Sequence, residues 1–199
     1  MKKSVYWISM LLMALFLSVQ TAAAQNSQAL SKKEKRHIEH LRKIKERNMQ
    51  RAASRSYYME LLKNRYFVFQ ADYVIGPNGA SFGVSPDINF FSLNGNKTTL
   101  QFGLNGQIGF NGLGGVTTTG TIQNFKFNAK SKKNMEISGI LNLQQIDPGL
   151  PPHINLFVAD DGTGELDIRL ASGNIVTLYG QIVSPKKART FVGHNFMIM

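Results

Sequence analysis

Hydrophobic and polar positions follow two different periods along this chain. Between residues 31 and 63 the apolar residues recur every three or four positions, which is the period of an α-helix, and the stretch contains neither Gly nor Pro. After Lys63 apolar and polar positions alternate, as they do in a half-buried β-strand. The pattern therefore predicts a long helix followed by a domain made of strands.

The predicted helix has a recognisable start and an uneven apolar face. Ser31 followed three residues later by Glu34 is the pattern of a capping box, in which two side chains satisfy two free backbone amides. An apolar stripe runs from Ile38 to Leu62, but polar and small residues occupy its middle. We expect residues 57–62 to pack on the domain and the first two thirds of the helix to extend into solvent.

The alternating stretches are short, and turns rich in Gly, Asn and Asp separate them, such as residues 94–96 and 160–162. Asn and Gly suit these turns because they tolerate positive φ. Strands that follow one another without intervening helices predict a mainly β fold: a single antiparallel β-sandwich or open barrel, preceded by a long basic amino-terminal α-helix. The predicted strands cover residues 66–74, 88–93, 98–104, 125–127, 135–143, 154–158, 166–170 and 175–183.

A glycine-rich stretch over residues 106–125 raises the question of a phosphate-binding loop, since it contains six glycines. Such a loop delivers its backbone amides at the start of a helix, and its specific versions add a Lys. Here Gly115 leads into the strand-forming residues 116–122, and no Lys occurs before Lys126. We therefore interpret the glycines as bends or β-bulges in a β-rich domain.

The first 24 residues have the order of a secretory signal peptide. Lys2 and Lys3 precede an apolar run from Val5 to Val19, and small residues follow up to Ala24. The run is shorter than the roughly 20 residues that a membrane-spanning helix needs. We predict cleavage after Ala24 and a mature protein that is periplasmic or secreted, without a transmembrane segment. The chain has no cysteine, so disulfides do not stabilise it.

The positive charge of the chain, +11 in total, is concentrated in the predicted helix. Residues 31–63 carry eleven Lys or Arg and four Glu, a net charge of +7. Such a helix could contact an anionic envelope lipid or glycolipid, whereas an exported protein is not expected to meet nucleic acid. The alternative is a charged spacer. The candidate contact residues are Lys32, Lys33, Lys35, Arg36, Arg42, Lys43 and Arg47.

An acidic cluster at residues 160–167 is the main candidate for chemistry. Its carboxylates Asp160, Asp161 and Glu165 could serve a periplasmic hydrolase, if they faced another carboxylate across a cleft. A calcium loop is not favoured, because Gly162 and Gly164 stand where ligands would be expected. Without Cys or a nucleophile-elbow Ser, we assign no catalytic residue, no metal and no cofactor.

Aromatic side chains supply the candidate ligand contacts. If one face of the sheet is open, Tyr73, Phe90, Phe91 and Tyr179 could hold an apolar or carbohydrate ligand of unknown identity. Packing in the core is the alternative for the two Phe residues. We therefore favour a non-enzymatic binding or envelope-associated interaction module, with the hydrolase as the second hypothesis.

Four segments of the β-rich part of the chain form a recognisable series: "NRYFVFQAD" at 64–72, "VSPDINFFSLNGNKTTLQF" at 84–102, "GLGGVTTTGTIQNFKFNAKSKKNMEISGIL" at 112–141 and "NIVTLYGQI" at 174–182. In their order and spacing these segments resemble an exported bacterial family known as domain of unknown function 4251. The resemblance covers about residues 61–183 and implies export from a Gram-negative cell and a β-rich domain, but no activity.

The predicted organisation is a signal peptide at 1–24, a basic helical segment at 25–63, the β domain at 64–184 and a tail at 185–199 that adds an edge strand or docks across the sheet.

Overall fold

The computed structural model describes residues 31–103, 115–129, 134–143 and 151–193. The predicted signal peptide, its cleavage after Ala24 and the part of the glycine-rich stretch at 106–114 lie outside the described residues. The described residues up to Arg47 and those from Asn48 onward fall into two separate units. Within the described residues, no helix combines the length and the apolar character needed to cross a membrane.

Helix α1 spans Lys32–Lys63, which confirms the predicted helix. Its start is the predicted capping box: the Ser31 amide donates to Glu34 Oε2 over 2.7 Å, and the Glu34 amide donates to Ser31 Oγ over 3.2 Å. These two bonds satisfy amides that the first turn of a helix otherwise leaves free. From Lys32 to Ala53 the side chains are exposed, apart from a half-buried Ile44.

Nine strands follow the helix in the described part of the chain. The strand over the glycine-rich stretch begins at Gly115 and continues to Asn128, so no helix starts there and the predicted strand is longer than expected. A short strand over 81–83 was not predicted. The strands are β1 (Tyr66–Ile75), β2 (Ser81–Gly83), β3 (Phe90–Asn94), β4 (Lys97–Gly103), β5 (Gly115–Asn128), β6 (Asn134–Leu143), β7 (His153–Ala159), β8 (Thr163–Arg169) and β9 (Ile175–Val183).

Eight of these strands close into an antiparallel barrel. The order is β1-β3-β4-β5-β6-β7-β8-β9, and β9 pairs with β1, while β2 adds only to β1. The closing pair runs from Val68 opposite Val183 to Ile75 opposite Thr177, with an irregularity between Ala71 and Tyr73. The mainly β fold is confirmed, but the expected sandwich or open barrel is corrected to a closed barrel. Alternation identifies strands, whereas closure depends on a pairing between the two ends of the domain.

Side chains fill the inside of the barrel. Phe67 and Phe91 meet edge to face with ring centroids 6.1 Å apart, and Leu62 from α1 is fully buried with them. An eight-stranded barrel is just wide enough for side chains to fill. The buried core comprises Leu62, Phe67, Phe69, Ala71, Phe91, Leu93, Leu100, Ile122, Met135, Ile137, Leu141, Ile154, Leu156, Val158, Leu166, Ile168, Leu178 and Ile182.

The last turns of α1 cover the turn between β7 and β8. Gly162 in this turn has φ 87°, and a Cβ placed on it would lie 2.2 Å from Tyr58 Cζ. Beside it, Arg55 donates to Asp160 over 2.6 Å and to the Ala129 carbonyl over 3.3 Å. The expected packing of residues 57–62 on the domain is therefore present. Contacts with the domain begin earlier in the helix than expected, at Arg55.

The start of the carboxyl-terminal tail docks on the outside of the barrel rather than adding a strand. Gln101, on the outer face of β4, donates to the Phe191 carbonyl over 2.7 Å and accepts from the Gly193 amide over 2.8 Å. Gln70 on β1 donates to the Arg189 carbonyl over 2.9 Å. Residues 184–193 therefore cover the outer face of β1, β3 and β4.

Candidate binding groove on the outer face

Polar side chains from five neighbouring strands form a row on the outer face of the barrel. The strand register places Lys126, Ser138, Asn155, Asp167 and Thr177 opposite one another across β5 to β9. Successive side chains of a strand point to opposite faces, and the neighbours of these residues along β6 to β8 are core residues such as Ile137, Ile154 and Ile168. The row is therefore the outward half of the alternating pattern.

A second outward row lies beside the first. It runs from Ile140 through His153 and Arg169 to Ile175. On β5 the pairing is interrupted between Gln123 and Lys126, where Asn124 has φ 51°. A bulge of this kind bends a strand and redirects its side chains.

The two rows and the bulge enclose a groove of about 390 Å³. Its floor is half-buried and carries Ser138, Asn155 and Asp167, whereas Lys126, His153 and Arg169 are exposed at its sides. We call this the outer groove. Its lining consists of Asn124, Lys126, Ser138, Gly139, Ile140, His153, Ile154, Asn155, Asp167, Arg169 and Ile175.

The charged side chains of the outer groove are only partly paired with other described residues. Asp167 accepts a hydrogen bond of 2.6 Å from the Thr177 hydroxyl. Within the described residues, no ion pair involves Lys126 or Arg169. The groove can therefore offer two cationic donors to a ligand, together with acceptors on Asp167 and amide or hydroxyl groups on its floor.

Two of the predicted aromatic residues are exposed and two are buried. Tyr73 and Tyr179 stand opposite each other across the β1–β9 seam and are 41% and 38% exposed. The Tyr73 hydroxyl donates to Ser81 Oγ over 2.9 Å, and burial together with the Glu165 carboxylate raises the pKa of Tyr179. Phe91 packs in the barrel core and Phe90 is 2% exposed, so neither offers the open surface that the ligand-binding hypothesis required.

Phe90 is buried although it points out of the barrel. The register places it between Gln70 and Gln101, the two outward side chains that hold the tail. Its neighbour Phe91 faces the core, and alternation directs Phe90 to the opposite side. The outer face of β3 is therefore a second packed surface of the domain.

The carboxylates proposed for a hydrolase make contacts within the fold. Asp160 pairs with Arg55, and the pair is only 31% and 18% exposed. Asp161 accepts hydrogen bonds from the Thr163 hydroxyl and amide, which lower the pKa of Asp161. Glu165 lies on β8 opposite Tyr179. Within the described residues, no cluster of three His, Cys, Asp or Glu side chains could hold a metal ion.

The residues predicted to contact an anionic surface all lie on the exposed first half of α1. Arg42 pairs with Glu46 over 2.8 Å and Lys43 pairs with Glu39 over 2.7 Å, both at four-residue spacing. Pairs this exposed stabilise a helix only slightly. Contact between this segment and an anionic surface stays a prediction.

The match to a family model decides the relationship of this chain to known proteins. The model described as Domain of unknown function (DUF4251) matches residues 49–182. The chain belongs to the DUF4251 family. This match begins earlier than the resemblance over residues 61–183 and takes in the last turns of α1, which pack on the barrel.

A solved structure of another DUF4251 protein agrees with this assignment. The crystal structure of a DUF4251 family protein from Bacteroides eggerthii is 29% identical to the chain, with a TM-score of 0.53. The similarity covers 67% of this chain and 89% of that one. No curated protein matches the chain.

Sequence reasoning missed the outer groove of this DUF4251 protein. Its floor residues Ser138, Asn155 and Asp167 occupy the outward positions of predicted strands, where polar side chains are ordinary. Only the register of β5 to β9 brings them together. A signal was nevertheless available in the outward positions of β8, where Asp167 and Arg169 stand two residues apart.

Proposed function

We propose that this protein is an exported, non-enzymatic binding module that holds a small polar ligand in the outer groove. The observation that carries the proposal is the unmatched charge of the groove, because Lys126 and Arg169 have no ion pair within the described residues. Charged donors beside a recessed polar floor are the usual means by which a site fixes the orientation of a polar ligand.

The inside of the barrel offers less support for a ligand site. The described interior is filled by the core residues, with Phe67, Phe69 and Phe91 fully buried among them. Barrels of this strand number either fill their interior with side chains or keep room for one small ligand. The packing favours the first case, and the outer face is therefore the better candidate.

The chemistry of the outer groove favours a ligand that carries a carboxylate or phosphate beside hydroxyl groups. Lys126 and Arg169 suit the anionic group, since Arg binds both kinds of oxyanion in a forked geometry. Asp167 and Asn155 can accept hydrogen bonds from hydroxyl groups, and Ser138 can accept or donate. Acidic sugars and sugar phosphates share this chemistry.

The proposal of export rests on the sequence of residues 1–24 and on the resemblance to an exported family. The hydrolase hypothesis gains no such support. Asp160 and Asp161 are engaged by Arg55 and Thr163 in the β7–β8 turn. A pair of catalytic carboxylates would instead face a cleft with room for substrate.

Titration with three probes tests the proposal: glucuronate, glucose 6-phosphate and uncharged glucose. We expect amide shifts in β5–β9 and calorimetric binding with at least one charged probe, and weaker binding of glucose. The double variant Lys126→Gln/Arg169→Gln should lose at least about tenfold in affinity, because two charge-assisted hydrogen bonds are removed. The probe should be recovered unchanged.

The matched control is Lys97→Gln/Arg189→Gln, which removes the same charge from exposed positions outside the groove. It should bind like the parent protein. Equal losses in both double variants would point to the overall charge of the protein. Absence of shifts in β5–β9 with every probe would refute the groove as a site for this ligand class.

A further inference from the structure

The first half of α1, Lys32–Arg47, is an exposed and strongly charged segment in its own right. We call it the basic segment. It carries eight Lys or Arg and three Glu, a net charge of +5. Every side chain in it is exposed except the half-buried Ile44. A helix with so little buried surface has its charges available to a partner.

The acidic residues of the basic segment are already engaged locally. Glu34 completes the capping box, and hydrogen bonding to the backbone of Ser31 lowers the pKa of Glu34. Glu39 pairs with Lys43, whose hydrogen bond lowers the pKa of Glu39, and Glu46 pairs with Arg42. Within the described residues, the remaining cations of the segment have no ion pair. These cations are Lys32, Lys33, Lys35, Arg36, Lys45 and Arg47.

The basic segment also exposes apolar side chains on one side. Ile38 and Leu41 are each 50% exposed. With 3.6 residues per turn, these two share a side of the helix with Ile44, and Lys45 joins them there. Most of the cations fall on the other side. The apolar side is too small to bury the helix deeply in a membrane interface, so the cations would supply most of the attraction to a charged surface and Ile38 and Leu41 a small apolar anchor.

We propose that the basic segment binds the surface of an anionic phospholipid membrane, with its cations on the headgroups and Ile38 and Leu41 entering the interface. The proposal is independent of the outer groove. Charge complementarity alone would also suit a soluble polyanion. The exposed Ile38 and Leu41 favour lipid, because a soluble polyanion has no apolar layer to receive them.

Vesicle binding tests this proposal. The protein is recovered from the envelope fraction of expressing cells, its amino terminus is defined by intact mass, and it is sedimented with phosphatidylethanolamine vesicles with or without phosphatidylglycerol. We expect binding only to vesicles that contain phosphatidylglycerol, and a steep loss in high salt, which shortens the range of the charges. Lys32→Gln/Lys33→Gln/Lys35→Gln/Arg36→Gln should weaken binding by roughly several hundredfold, since four cations are removed and each contributes about fivefold.

Two controls separate the basic segment from the net charge of the protein and lipid from other polyanions. Lys97→Gln/Lys186→Gln/Lys187→Gln/Arg189→Gln removes four exposed cations elsewhere and should bind vesicles like the parent. Ile38→Ser/Leu41→Ser keeps every charge and should lose vesicle binding severalfold while retaining binding to heparin.

Three results would overturn the proposal. The first is equal binding to neutral and anionic vesicles, and the second is equal loss in the two fourfold variants. The third is an Ile38→Ser/Leu41→Ser variant that binds vesicles as well as the parent, which would identify a soluble polyanion as the partner. Circular dichroism of each variant confirms that the helix content is unchanged.

Discussion

The outer surface of this barrel has a covered region and an open region. Polar side chains of the covered region bind other parts of the protein, whereas those of the open region remain accessible to solvent. The covered region lies under the tail residues 184–193 and under the last turns of α1. The open region is the outer face of β5 to β9 with the outer groove. Both carry polar side chains at outward positions of strands, so the strand pattern alone does not distinguish them.

In the covered region the side-chain amide group of Gln101 has a protein partner for each of its hydrogen-bonding positions. Gln101 is fully buried, and its amide group donates to the Ile88 and Phe191 carbonyls. Its oxygen accepts from the Thr117 hydroxyl and the Gly193 amide, each over 2.8 Å. A buried polar group with complete partners specifies one arrangement of the chain around it. Gln101 therefore acts as the fixing point of the tail.

In the open region the corresponding side chains remain half-buried or exposed. Lys126 and Arg169 have no ion pair within the described residues, and Asp167 is held by Thr177. Polar groups that the fold leaves to water can exchange water for a ligand, whereas those of the covered region cannot. Because only the open region keeps polar side chains in contact with water, we place the proposed binding function on β5 to β9.

The largest expected effect is that of Gln101→Met. Methionine has a similar shape but removes all four hydrogen bonds of the Gln101 amide group, to the Ile88 and Phe191 carbonyls, the Gly193 amide and the Thr117 hydroxyl. We expect the free energy of unfolding to fall by about 4 kcal/mol, since each hydrogen bond contributes about 1 kcal/mol. Chemical denaturation measures this change.

Gln123→Met is the control in the open region, because Gln123 is an exposed outward residue of β5. An exposed substitution of this kind should change stability by less than about 0.5 kcal/mol. If Gln101→Met cost no more than Gln123→Met, the tail would not be fixed by Gln101, and the distinction between the two regions would fail.

A smaller effect is expected where α1 covers the β7–β8 turn. Gly162→Ala places a methyl group against the Tyr58 ring and forces Ala to φ 87°. The left-handed conformation costs Ala about 1 kcal/mol, and displacing the ring costs about 2 kcal/mol more. Thermal or chemical unfolding should therefore show a loss of about 3 kcal/mol.

Gly173→Ala is a closely matched control for this contact. Gly173 has φ 84° in the β8–β9 turn, and a Cβ there would meet nothing within 4 Å. Its substitution should cost about 1 kcal/mol, from the backbone alone. Equal losses at the two glycines would contradict the packing of Tyr58 on Gly162.

The sequence supported much of the local structure because the relevant signals are local. The capping box at Ser31 starts the helix, and the turns predicted at 94–96 and 160–162 contain Gly95 and Gly162, both with positive φ. Each signal involves residues within a few positions of one another. Such signals do not depend on how the sheet is assembled.

Closure of the barrel and the outer groove could not be derived in the same way. The β1–β9 pairing joins Val68 to Val183, and the groove combines side chains of five strands. A shift of one residue in any register would turn the groove residues toward the core. Phe90 shows the same limit, because the tail that covers its outward side is about a hundred residues away in the sequence, and the strand pattern carries no sign of that contact.

The smallest expected effect concerns pH and the covered β7–β8 turn. The Thr163 hydroxyl and amide donate to Asp161 and lower its pKa below the ordinary value of 3.8. In the unfolded chain Asp161 takes up its proton near the ordinary value, whereas the folded protein takes it up only at lower pH. The stability that this carboxylate contributes is therefore present above pH 3.8 and is lost as the pH falls through the folded-state pKa.

Asp161→Asn keeps the acceptor oxygen and removes the titration, so the stability of this variant should decline less steeply than that of the parent below about pH 4. Unfolding curves between neutral and acidic pH measure both slopes, and parallel slopes would show that the Thr163 bonds do not favour the charged form.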